Sequence, residues 1–323
     1  MFEVSRRDLV LGAAGAYVAF GIDRPIAFIG AAYAQQPATP SFQKYKVGDV
    51  EVFSLVDGIV ELPPREGFIR NASVEQTRAA LRSSGLDDSR VPFPFTAIAV
   101  KLRNQLILID SGTGGSAIYG PKCGWLLQSM AAAGLDPKSV KTIIVSHLHG
   151  DHIYGLMDKT TNAQLFPNAE IIIPAAELKW WIRPEVDTMN LGPTRKGLSE
   201  RIRATLPHWK NVRPVDGETE LVPGIRTILA PGHSPAQVTH LLGSGDKQLL
   251  ATADVSLLPA LFVKNPDWQT ILDQDGPTAV ATRKRIFERA ISDKLMVTGV
   301  HWLQPNVGTI AKDGSGYAFV PAA

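Results

Sequence analysis

Residues 141–156 read KTIIVSHLHGDHIYGL. An apolar, β-branched run ends at Ser146, and His147, His149, Asp151 and His152 follow within six residues. The whole chain has seven histidines, so three of them in one stretch calls for more than a satisfied core imidazole. In extended backbone, positions i and i+2 point the same way, so His147 and His149 can converge on one cation. Asp151 and His152 are adjacent and diverge, which suits them to a second site nearby. Gly150 and Gly155 allow the chain to turn around both.

Working outward, three further strand-like runs end in metal-ligand side chains. ILAPGHSP carries His233, LLATADVS carries Asp254 and MVTGVHW carries His301. Side chains gathered at strand ends are where open α/β sheets build their sites. Histidine and carboxylate donors suit zinc and also accept manganese, iron or cobalt. The expected cofactor is therefore a pair of divalent cations, zinc first.

The rest of the chain reads as strands in two batches, each followed by helices. YKVGDVEVFSLVDGIVEL (45–62) predicts two strands about a turn near Gly48, with a further turn at Asp57-Gly58. VEQTRAALRSSG (74–85) predicts a helix capped by Ser73 and stopped by Gly85. FTAIAVKLRNQLILIDSG (95–112) predicts a hairpin turning at Arg103-Asn104. A helix over 124–134, an apolar strand over 140–146, the strand AEIIIP and the helix PAAELKWWI come next. Residues 183–210 are polar and weakly periodic, a helical insertion or flap. Strands return over 220–254, then a helix over 277–292 and the strand LMVTGVH. The pattern predicts an α/β protein, a four-layer αββα sandwich in a single domain.

The N-terminus is different. Arg6-Arg7 precedes an Ala/Gly-rich apolar stretch, and a small-x-small site falls at Ala32-Tyr33-Ala34. Residues 1–34 read as a twin-arginine-type export signal, 35–46 as a linker and 47–323 as the folded domain that carries the His/Asp cluster. The expected location is periplasmic or secreted, with the export machinery as a transient partner. A net charge of +2 and no basic run argue against nucleic acid. Cys123, the one cysteine, rules out an internal disulfide and reads as a small buried residue. Composition leaves a homodimer open.

The motif His147-x-His149-x-Asp151-His152 resembles that of the metallo-β-lactamase superfamily, and the later His233, Asp254 and His301 are similar to its dinuclear branch. Within that branch the chain looks most like the methyl parathion hydrolase and acyl-homoserine lactonase families. The likeness runs from about Val47 to Val320 and includes LVDG, LILIDSG, FPNA, LVPGI, GHSP and GYAFVP. It implies the metallo-β-lactamase fold. It further implies that His147, His149 and His233 hold one metal, and that Asp151, His152 and His301 hold the other. Asp254 and a hydroxide would bridge the two, making Asp151 and Asp254 the catalytic carboxylates. Asp110 in LILIDSG would orient a ligand histidine, whereas Asp57 reads as a turn residue.

Two departures stand out. HSPAQ places Ala236 and Gln237 where related enzymes often carry Gly-His, and Tyr154 stands where glycine is common. Some lactonases use a tyrosine between the motif and the next histidine. Here no tyrosine lies between Tyr154 and Tyr317, leaving metal, water or Tyr119 for that task. Candidates for an apolar substrate pocket are Phe93, Phe95, Tyr119, Tyr154, Trp180, Trp268 and Trp302. Of the adjacent pair Trp180 and Trp181, one must face away from the helix's buried side. The implied activity is hydrolysis of a small hydrophobic lactone or aryl ester, with phosphotriester hydrolysis second. Behind these come β-lactamase, sulfur dioxygenase and non-catalytic metal-binding roles.

Overall fold

A computed structural model describes residues 39–322 apart from 49, 190 and 191. The export-signal reading of residues 1–34, and the start of the 35–46 linker, lie outside the described residues. The first sheet runs β1 (Phe42–Val47), β2 (Val50–Leu62), β3 (Val91–Leu102), β4 (Gln105–Ile109), β5 (Val140–Ile144), β6 (Glu170–Pro174), β7 (Val212–Val215) in that spatial order. The second contains β8 (Glu220–Val222), β9 (Ile225–Leu229), β10 (Val238–Ser244), β11 (Lys247–Ala251), β12 (Met296–Thr298), β13 (Val307–Asp313) and β14 (Gly316–Pro321), again adjacent in chain order. The helices are α1 (Val74–Ser83), α2 (Leu126–Ala132), α3 (Gly150–Ile153), α4 (Ala175–Ile182), α5 (Gly192–Thr205), α6 (Pro259–Phe262) and α7 (Gly276–Ser292). No helix among the described residues is long and apolar enough to cross a membrane.

Strand alternation builds the four layers. In β3 and β4, Ile98, Val100, Ile107 and Ile109 point into the core between the sheets, meeting Ile225, Leu242 and Leu249 of the second sheet. Their neighbours Ala97, Ala99, Leu106 and Leu108 point outward, against Leu126 and Met130 of α2, Trp181 of α4 and Ile202 of α5. On the far side, Ile286, Phe287 and Ala290 of α7 cover Ile228, Leu250 and Val297. The αββα expectation therefore holds. Each half of the chain makes one sheet.

Local signals in the sequence also appear as read. Ser73 accepts from Gln76 N and Gln76 returns the bond, a capping box. Arg103 and Asn104 have φ of 49° and 63°, making the β3–β4 turn. Within 183–210, Pro184–Thr188, α5 and Leu206–His208 are helical, and Leu198, Ile202 and Leu206 dock α5 and the following turn onto the first sheet.

Two readings need correction. The sheet starts inside the segment read as linker: β1 begins at Phe42, whose ring packs 6.3 Å from Phe53. Asp57-Gly58 is not a turn but a bulge within β2, where the register shifts. Asp57 is fully buried there and accepts from Thr113 N (2.7 Å), Thr113 Oγ1 (2.6 Å) and Leu126 N (3.0 Å). It thus ties the loop after β4 to the start of α2. Asp57→Ala leaves these donors buried without an acceptor and is expected to cost about 3 kcal/mol in urea unfolding. A loss within experimental error would mean that the loop relaxes to water.

Candidate dinuclear metal centre

The site sits where strand ends from both sheets meet. β4 ends at Asp110, β5 leads to Ser146 and His147, β9 leads to His233, β11 leads to Asp254, and β12 leads to His301. The β4–β5 and β11–β12 pairs are parallel, so their ends share an edge. The backbone there is unusual: Asp110 has φ 57° and Ala253 has φ 47°, while Asp254 itself lies at φ −95°, ψ 18°. Non-glycine residues in such regions concentrate at functional sites. Gly150 and Gly155 serve close packing rather than a sharp turn. A Cβ on Gly155 would fall 1.8 Å from Ser111 O, and one on Gly150 would fall 2.7 Å from the Tyr119 hydroxyl.

All seven predicted ligand side chains converge, in two groups. In the first, His149 Nδ1 lies 3.0 Å from His147 Nε2 and 2.9 Å from His233 Nε2. Three ring nitrogens this close cannot all present protons to one another. Tetrahedral coordination at about 2.0–2.1 Å per bond would separate nitrogen ligands by roughly 3.3 Å, close to what is seen. In the second group, His301 Nε2 is 3.3 Å from Asp151 Oδ2 and 3.1 Å from Asp254 Oδ2. His152 Nε2 lies 3.5 Å from Asp151 Oδ2 and 3.2 Å from Asp254 Oδ1. Asp254 Oδ2 also approaches His233 Nε2 of the first group, at 3.2 Å. His152 Nε2 and Asp254 Oδ1 are buried and make no hydrogen bond, as donors aimed at a common cation would be. The donor set fits two divalent metal ions.

The outward ring nitrogens of His147, His152, His233 and His301 have partners of their own, whereas His149 Nε2 is buried without a hydrogen bond. His152 Nδ1 lies 2.8 Å from Asp110 Oδ2, the contact an orienting acid would make. Asp110 Oδ2 also accepts from Ser146 Oγ (2.8 Å), which in turn lies 3.1 Å from His147 Nδ1. His301 Nδ1 donates to Pro94 O at 2.8 Å, and His233 Nδ1 meets Asp273 Oδ1 at 3.0 Å. On these four rings a proton held outward leaves the inner lone pair for a metal. Asp273 was not anticipated, since it lies in an irregular loop with no strand-end signal. Glu177 was also missed, although its i, i+4 spacing from Trp181 places it on the helix's apolar face.

Electrostatics divide the two groups. Burial and neighbouring imidazoles hold His147 well below its ordinary range, and burial with His233 does the same to His149. In the second group burial is outweighed by Asp254 and Asp151, which raise His301 to about 9 and hold His152 well above its usual value. Asp254, despite burial, is held well below by His301, His152 and His233. Away from the centre, burial pushes His240 down to about 4.

These shifts give chelator-treated protein a stability maximum near pH 6.5. Between pH 4 and 6.5 the unfolded chain carries a proton on His240 that the folded one lacks, so stability rises with pH. Between pH 6.5 and 9 the folded chain carries the extra proton, on His301, so stability falls. His240 and His301 contribute about 3 kcal/mol each, His147 and His149 add to the rising limb, and His152 adds to the falling one. Urea midpoints across pH 4–9 measure both, and a flat profile above pH 6.5 would contradict the carboxylate contacts of His301.

The aromatic candidates separate by position. Phe93 and Phe95 pack on His301 at 4.3 and 5.4 Å, and Tyr119 continues the wall 5.2 Å from Phe95. The Tyr119 hydroxyl donates to Asp151 Oδ1 at 3.3 Å. Tyr154 is buried behind it, 6.4 Å from Tyr119, with the Arg201 guanidinium 4.5 Å over its ring. Trp181 is the buried member of its pair, edge-on to His149 at 5.9 Å, while Trp180 is part-exposed under Arg183. Trp268 packs with Phe93 on a separate apolar cluster around α6. Trp302 is not a pocket residue. It is fully buried, donates to Ser256 O at 2.9 Å and stacks on Phe319, because its side chain turns into the second sheet's core.

An αββα sandwich with seven His/Asp donors at its strand ends defines a metal-dependent hydrolase. A family profile for the metallo-beta-lactamase superfamily matches residues 92–287. The chain belongs to that superfamily. It is 24% identical over 249 residues to an N-acyl homoserine lactonase of Bacillus cereus, covering 72% of this chain and 90% of the relative. Among solved structures it resembles AidC, a dizinc quorum-quenching lactonase in complex with a product. The TM-score is 0.81 at 27% identity, covering 89% of this chain and 99% of that one. The hydrolase AbOPH superposes with a TM-score of 0.80 at 23% identity, covering 88% and 98%, which shows shared fold.

Proposed function

We propose that this chain is a dizinc lactonase that adds water to the carbonyl of a small hydrophobic lactone and breaks the ring C–O bond, giving a hydroxy acid. Aryl esters present the same carbonyl and are expected as secondary substrates. The observation that carries the reading is Asp254, whose carboxylate lies within 3.2 Å of a histidine from each group. Similarity to lactonases over most of the chain supports the choice of lactones ahead of phosphotriesters.

His147, His149 and His233 would hold one cation and Asp151, His152, Asp254 and His301 the other, and when bound the pair would supply an acidified water near neutral pH and Lewis-acid polarisation of the carbonyl. The protein's part is arrangement. Asp110, Asp273 and Pro94 O fix the ring orientations of His152, His233 and His301. Phe93 and Phe95 give one side of the centre an apolar surface suited to an acyl chain. Burial, with Asp151 adding to it, holds the Tyr119 phenol well above its ordinary range, so it stays a hydrogen-bond donor beside the centre that can turn from Asp151 Oδ1 to a developing oxyanion.

The test is metal quantification together with kcat/KM on an N-acyl homoserine lactone, an aryl ester and a phosphotriester. Two zinc ions per chain and a preference for the lactone are expected. A dominant phosphotriester rate would reverse the substrate order, and one iron per chain would replace the dinuclear reading. We further propose export through residues 1–34 and no role in nucleic-acid binding, with a homodimer open to a mass measurement. Cell fractionation that leaves full-length protein in the cytoplasm would overturn the export reading.

A further inference from the structure

We infer that Glu177 is a positioning residue for the three-histidine group, clamping the loop that carries His147 and His149 to the loop that carries His233. The inference rests on the metal-centre reading above. Glu177 lies in the first turn of α4 and is fully buried, yet its hydrogen-bond partners are donors from two loops and its own helix, with no cation among them. Oε1 accepts from Leu148 N, between the two ligand histidines, at 3.4 Å and from Trp181 Nε1 at 3.0 Å. Oε2 accepts from Ser234 Oγ and Ala236 N, just after His233, each at 3.0 Å.

A buried anion is costly unless its lone pairs are filled, and here four donors fill them. Each oxygen therefore serves one side of the three-histidine group. Trp181, held by the same carboxylate, lies edge-on to His149 and limits how its ring can tilt. Glu177 makes no hydrogen bond to Asp151, His152, Asp254 or His301. Its influence is directed at one metal position out of two.

Glu177→Gln keeps the shape but turns one oxygen into an amide that cannot accept from Ala236 N. The separate backbone bond from Val238 N to Ser146 O, 3.0 Å, continues to join the two strand ends. The experiment follows binding of 113Cd²⁺ to chelator-treated full-length protein by NMR and isothermal titration. Wild type is expected to show two resonances and two equivalents. In E177Q the affinity of the three-histidine position falls about 10–100-fold while the other changes little. His301→Ala, which weakens the second position, identifies the resonances. Trp181→Phe and Ser234→Ala each remove one donor and are expected to produce smaller losses at the same position. They carry the test if E177Q does not fold. Wild-type affinity at both positions, or equal loss from both, overturns the clamp. A wild type that binds no cation instead refutes the metal-centre reading beneath it.

Discussion

Asp254→Ala is expected to lower kcat/KM for every hydrolysed substrate by ~10³-fold or more, since loss of an outer partner alone typically costs 10–100-fold. Its carboxylate touches His152, His233 and His301, so removing it uncouples both groups at once. The chelator-treated variant should also be less stable by about 3 kcal/mol near pH 6, because His152 and His301 lose the shared buried counter-charge that favours their protonated forms. Steady-state kinetics and urea unfolding on the same preparations read both effects. Retention of more than a tenth of wild-type activity would mean that the groups work independently.

Metal removal is the second large effect. Each cation at 1,000 times its Kd contributes about 4 kcal/mol of stabilisation by mass action, so two contribute roughly twice that. In a chain of this size the melting temperature should fall by on the order of 10 °C on chelation, with complete loss of hydrolysis. Zinc should restore both. A chelated protein that melts at the original temperature would imply that the folded and unfolded chains bind metal equally.

The seven converging His and Asp side chains could be read from the sequence because each follows an apolar strand, and a strand end has a fixed place in an α/β fold. The same logic found Asp110. The four layers followed from the order of elements, strands in two batches each followed by helices. What escaped were residues whose roles depend on distant partners. Asp57 looks like a turn in LVDG, and only the approach of Thr113 and Leu126 makes it a buried acceptor. Asp273 and Glu177 sit in a loop and a helix whose docking against the ligand loops has no local signature. Trp302 follows a ligand directly, yet its direction is set by core packing with Phe319.

The two sheets come from separate halves of the chain, meeting at residues 216–219 between β7 and β8. Neither half owns a metal position. The first contributes His147, His149, Asp151 and His152, and the second contributes His233, Asp254 and His301. Each cation would therefore act as a rivet across the seam between sheets, and catalytic competence would report on their docking. A break or insertion at 216–219 leaves every strand pair intact, so the damage it does to activity should be repairable by metal alone.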